Sequence, residues 1–75
     1  MVLYRVRYSI DTLGKEMKEK EFDSFEKMTG FAKKIAAFTN RMIYIDWTYS
    51  SNPGVWMLLR ACPTVKDINN VKPKH

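Results

Sequence analysis

The chain has one thiol, Cys62, and one imidazole, His75. Nucleophilic catalysis needs a thiol or hydroxyl held against a base. Cys62 sits in an apolar β-rich run and His75 at the last position, so that pairing is not supplied. Cys62 reads as a packed strand residue. The same two residues cannot complete the four-ligand set of a structural zinc, and three scattered glycines make no phosphate-cradling loop. Glu16, Glu19 and Glu21 alternate with lysines, the pattern of a solvated charge ladder in which single ion pairs contribute little. Asp46 is the one acid in an unusual setting, mid-run between Tyr44 and Thr48 and diagonal to Arg60 across a hairpin. The plainer account of it is a surface Asp–Arg pair. No catalytic residue, cofactor or metal is expected.

Binding chemistry is better represented. Both tryptophans and two of the four tyrosines fall within residues 41–62, in two β-rich runs around Ser-Ser-Asn-Pro-Gly. Aromatics on a sheet can serve a protein interface or stack the bases of a single strand, depending on the charges around them.

Four strands and a helix are predicted to position these residues. Val2, Tyr4, Val6 and Tyr8 alternate with Leu3, Arg5, Arg7 and Ser9, which marks a strand with one buried face. Asp11-Thr12-Leu13-Gly14 is a turn signal, and residues 15–22 form the returning edge strand, its charges guarding the edge. With Gly14 as the bulge residue of a three-residue loop, Arg7 faces Glu19, Arg5 faces Glu21 and Phe22 faces Tyr4. A one-residue slip would instead oppose Arg7 to Lys18 and Arg5 to Lys20, a like-charge ladder. The two arginines are therefore expected to be neutralised by the glutamates.

Asp23 with Glu26 has capping-box spacing, so a helix begins there. Phe25, Met28, Phe31, Ala32, Ile35, Ala36, Phe38 and Thr39 then cover an arc of about 160° at 100° per residue, enough to seat it on a sheet. Lys27, Lys33 and Lys34 lie opposite, and Asn40 serves as the C′ residue. The hairpin follows, with Asn52-Pro53-Gly54-Val55 suited to a type II turn. Pairing Tyr49 with Val55 sends Ile43, Ile45, Trp47, Tyr49, Val55, Met57, Leu59 and Ala61 to the helix side. Met42, Tyr44, Asp46, Thr48, Trp56, Leu58, Arg60 and Cys62 go to the other. The expected fold is α+β: ββαββ, a four-stranded antiparallel sheet in order 2-1-3-4 with one helix on one face. Residues 1–62 form the single domain. Residues 63–75 read as a basic, flexible tail with one loose helical turn over Val65, Ile68 and Val71.

Composition limits the remaining choices. At 75 residues the chain is near the lower size for a domain with one core, and with one cysteine it cannot staple itself by an internal disulfide. A lone thiol, the absence of a continuous apolar core in the first ten residues and the lack of any run of roughly 20 apolar residues favour the cytoplasm and no membrane. Of the net charge of +5, the last thirteen residues contribute +2, three lysines against Asp67. The basicity is therefore spread out.

One helix cannot cover both faces of a sheet, and an exposed antiparallel face should be polar along its strands. The second face here carries Tyr44, Asp46, Trp56, Leu58 and Arg60, an interaction site by composition. The bland alternatives are a tail folded over it or scattered exposed aromatics of no consequence. The leading expectation is a non-catalytic binding module acting through this face, by self-association as a dimer or higher oligomer or by binding another protein. Small inhibitor or adaptor proteins, including many phage-encoded ones, share this build by analogy. The competing expectation is binding of single-stranded nucleic acid or a nucleotide-like anion, with Arg41, Lys33, Lys34, Lys72 and Lys74 as the anion contacts.

Overall fold

A computed structural model describes residues 1–9, 16–39, 41–51 and 54–74. It contains strands β1 (Val2–Tyr8) and β2 (Lys18–Phe22), helix α1 (Phe25–Phe38), strands β3 (Ile43–Tyr49) and β4 (Met57–Cys62), and a short helix α2 (Val65–Asn69). The strands form one antiparallel sheet in the order β2-β1-β3-β4. This is the expected α+β arrangement with one helix added. The turn residues Asp11–Gly14 and Asn52–Pro53, and the C′ residue Asn40, lie outside the described residues.

In the first hairpin Tyr4 pairs with Phe22, Arg5 with Glu21 and Arg7 with Glu19. The charge pattern selects that register, because the alternative opposes cations to cations. α1 starts one residue later than the capping-box spacing implies. Ser24, not Asp23, is the N-cap: its hydroxyl accepts from the Lys27 backbone N–H at 3.3 Å and donates to Glu26 Oε2 at 3.2 Å. Such a cap stabilises a helix by about 1 kcal/mol.

The core lies between the sheet and the helices, built from Tyr4, Val6, Met28, Ala32, Ile43, Ile45, Cys62, Ile68 and Val71. Each fully buried aliphatic side chain contributes roughly 1.5–3 kcal/mol by leaving water. Tyr4 meets Phe25, and Tyr8 meets Phe31, edge-to-face with ring centroids 5.5 and 5.3 Å apart. Phe38 departs from its expected core position and is 87% exposed. It lies about 80° around the helix from the buried Met28, at the margin of the stripe, and it is the last helical residue.

Residues 63–74 are not a loose appendage. Thr64 caps α2, and Ile68 and Val71 enter the core at 1% and 6% exposure. α2 packs on α1 and β4, so it lies on the helix side of the sheet. The tail is then pinned where the Lys74 backbone N–H donates to the Tyr4 hydroxyl at 2.9 Å. No helix among the described residues is long and apolar enough to cross a membrane.

The second hairpin differs from expectation in one consequential place. Trp47 faces Met57 and Asp46 faces Leu58, as the Tyr49–Val55 pairing implies. Between Ile45 and Asp46 the register shifts, and Ile45 then faces Arg60 and Ile43 faces Cys62. A bulge at Leu59 and Arg60 has inserted one residue, which reverses the faces of everything beyond it. Cys62 therefore enters the core with no exposure, and Ala61 moves to the open face opposite Tyr44. Burial raises the Cys62 thiol pKa, keeping it protonated. Tyr49, Val55 and Met57, expected under the helix, are exposed.

Candidate functional site

The open face is organised by two rows of side chains running across the strands. One row is Glu21, Arg5, Asp46 and Leu58; the next is Glu19, Arg7, Tyr44 and Ala61. Asp46 is at the centre. Its carboxylate is 2% exposed although no helix covers this face among the described residues. Arg7 grips it as a fork, Nε donating to Oδ2 at 2.7 Å and Nη2 to Oδ1 at 3.0 Å. Arg5, directly across the strand pair, donates from Nε to Oδ2 at 2.9 Å. Bidentate charge-assisted bonds of this kind fix orientation as well as distance. The hydrogen bond to Asp46 also raises the Arg7 pKa.

The outer surfaces of the arginines are used as well. The Arg5 guanidinium lies 4.5 Å from the centroid of the Trp56 ring, and that of Arg7 lies 5.0 Å from the Tyr44 ring. These are cation–π distances, worth about 0.5–2 kcal/mol each according to desolvation. A second carboxylate, Glu19, reaches Arg5 Nη1 at 3.7 Å across the first hairpin. Charge and rings thus form one layer: Trp56 on Arg5, Asp46 between the arginines, and Arg7 on Tyr44. Next to it Leu58 is 57% exposed, and Met42 is also exposed. Thr48, buried on the same face, donates its hydroxyl to the Val55 carbonyl and ties β3 to the chain leading into Trp56.

Four of the five expected residues, Tyr44, Asp46, Trp56 and Leu58, therefore share this face. Arg60 does not. The bulge turns it to the helix side, where Nη2 meets Asp67 Oδ1 of α2 at 3.5 Å. The partner of Asp46 is an arginine pair from β1, and the glutamates opposite those arginines have a secondary part. The pairing Arg5↔Asp46 follows from β1 and β3 being neighbours in the 2-1-3-4 order. It requires only the correct β1–β3 register, which no turn dictates.

The expected anion contacts are dispersed. Lys33 and Lys34 lie exposed on α1, and Arg41 sits just before β3, its backbone N–H bonded to the Thr39 hydroxyl. Lys72 and Lys74 lie beside Arg60 on the helix side. Among the described residues no group of three His, Cys, Asp or Glu side chains could hold a metal ion. Comparison with protein-family models, curated proteins and solved structures finds no match to this chain.

Proposed function

We propose that the chain is a small non-catalytic binding module that acts through the open face. Its first form is self-association; its second is docking on another protein as an inhibitor or adaptor, in a reducing cytoplasm. One observation carries the reading. Asp46 is buried on a face that no described helix covers, and it locks Arg5 and Arg7 against Trp56 and Tyr44. Trp, Tyr, Arg and Met are the residues enriched at protein interfaces, where a few of them dominate affinity. Holding such side chains before contact reduces the ordering cost of binding. Two arginines against Asp46, Glu19 and Glu21 leave the face close to neutral, which suits a protein surface better than a polyanion. Each of the two rings already carries a guanidinium, and this weighs against a base-stacking platform here.

Light scattering over a range of concentrations tests the first form. The expected mass exceeds the 8.9 kDa of one chain, and Leu58→Asp returns it to that value with an unchanged circular dichroism spectrum. A mass of one chain at every concentration eliminates self-association and leaves the distinct partner. Trp56→Ala and Leu58→Asp variants that retain every cellular interaction of the wild type would sink the whole reading.

A further inference from the structure

The opposite side of the molecule holds a groove with different chemistry. A cavity of about 250 Å³ opens between β4 and the C-terminal segment, lined by Leu59, Arg60 and Val71 and by the two lysines Lys72 and Lys74. Arg60, Lys72 and Lys74 line a space the size of a small metabolite, and among the described residues the acid beside them is Asp67, bonded to Arg60. Among the described residues the balance at the groove is thus an excess of two positive charges.

The bulge in β4 creates this concentration. Without it Arg60 would stand on the open face with Asp46. With it, Arg60 and Leu59 both face the tail, and the tail is held in place by Ile68 and Val71 in the core and by Tyr4 at Lys74. The backbone that lines the groove is therefore held in place by the fold.

Lys74 also joins the groove to an aromatic pair. Its Nζ lies 5.2 Å from the centroid of the Trp47 ring, and Trp47 meets Tyr49 edge-to-face at 5.1 Å. Tyr49 and the neighbouring Met57 are 43% and 41% exposed, so a planar group has apolar surface to rest on next to the cations. Arginine supplies a planar fork for phosphate oxygens, and lysine ammonium groups act as mobile point charges.

We infer that this groove binds a phosphomonoester attached to a planar ring: a nucleoside monophosphate, or the phosphorylated end of a single strand. A phosphomonoester carries about −1.5 to −2 charges at pH 7, which matches the excess in the groove better than the single charge of a phosphodiester. The ring rests against the exposed Tyr49 and Met57, beside the Trp47 ring that Lys74 already covers, where stacking tolerates any base. This site is separate from the open face and does not depend on the function proposed for it.

The test is titration of AMP into the ¹⁵N-labelled full chain at low salt, read by amide and indole shifts. Saturable shifts are expected at Leu59, Arg60, Val71, Lys72, Lys74 and the Trp47 indole. Adenosine and inorganic phosphate, used separately, bind at least roughly tenfold more weakly, since each keeps only half of the contacts. The double variant Lys72→Ala/Lys74→Ala loses on the order of tenfold in affinity at an unchanged melting temperature, because both side chains are exposed. Arg60→Ala provides an independent second loss. A trinucleotide with a 5′-phosphate that competes with AMP assigns the site to strand ends; failure to compete assigns it to free nucleotides. Shifts produced equally by phosphate, sulfate and AMP would overturn the proposal, as would tighter binding of a phosphoserine peptide. Shifts confined to Tyr44, Trp56 and Leu58 would overturn it as well.

Discussion

The two faces of the sheet exclude water by different means. On the helix side the work is done by apolar volume: Val6, Ile43, Ile45 and Cys62 lie under Met28, Ala32, Ile68 and Val71. On the open side no helix among the described residues contributes, yet Asp46 and Thr48 are as inaccessible as the core residues. There the covering layer consists of the face's own long side chains. Arg5 and Arg7 lie down on Trp56 and Tyr44 because Asp46 holds their guanidinium groups. Removing a carboxylate and two guanidiniums from water offsets much of their mutual attraction, so the network contributes more to geometry than to net stability. A sheet face can therefore be ordered, nearly neutral and rich in interface residues without a second layer.

The comparison breaks most sharply at its centre. Asp46→Ala leaves Arg5 and Arg7 partly buried without their carboxylate, and loss of one partner of a buried pair costs about 3–5 kcal/mol. Urea unfolding measures it, and a loss under 1 kcal/mol would mean the network is superficial. The helix side answers to Ile68→Ala, expected to cost about 2–5 kcal/mol because a buried aliphatic is replaced by a cavity. A negligible effect would return residues 63–75 to the status of a loose tail.

Two smaller effects sharpen the contrast. Cys62, inaccessible on the helix side, is expected to react with a thiol reagent only at the rate of unfolding, and rapid labelling of the folded chain would contradict the bulged register. The smallest effect is at Asp67. The Thr64 hydroxyl bond, and after it Arg60, hold its carboxyl pKa below the ordinary value. A lowered folded pKa means that the stabilisation is present above the unfolded value and is lost as pH falls through the folded one. Acid titration of a Thr64→Ala variant should therefore show a slightly flatter loss of stability below pH ~4 than the wild type.

How much was legible depended on the range of the interaction. The first hairpin could be registered from sequence because Arg5, Arg7, Glu19 and Glu21 penalise any slip locally. The N-cap falls on Ser24 and not on Asp23 although both residue types are competent caps, so spacing alone does not choose between them. The role of Arg5 and Arg7 was half visible. Their charge and strand face are sequence properties, but a neighbour on β3 outcompetes the hairpin partners because its carboxylate is buried and theirs are not.

The residue pattern alone set the strand alternation and the apolar helix stripe, and with them the ββαββ order and strand neighbours. These rest on periodicity and on contacts within a hairpin. Only the tertiary structure decided three further things: the bulge in β4, the docking of the tail and the clasp around Asp46. Each depends on side chains far apart in the chain competing for one space. The bulge seats Cys62 in the core beneath α2 and swings Arg60 to Asp67, and no local pattern in residues 57–62 records that preference.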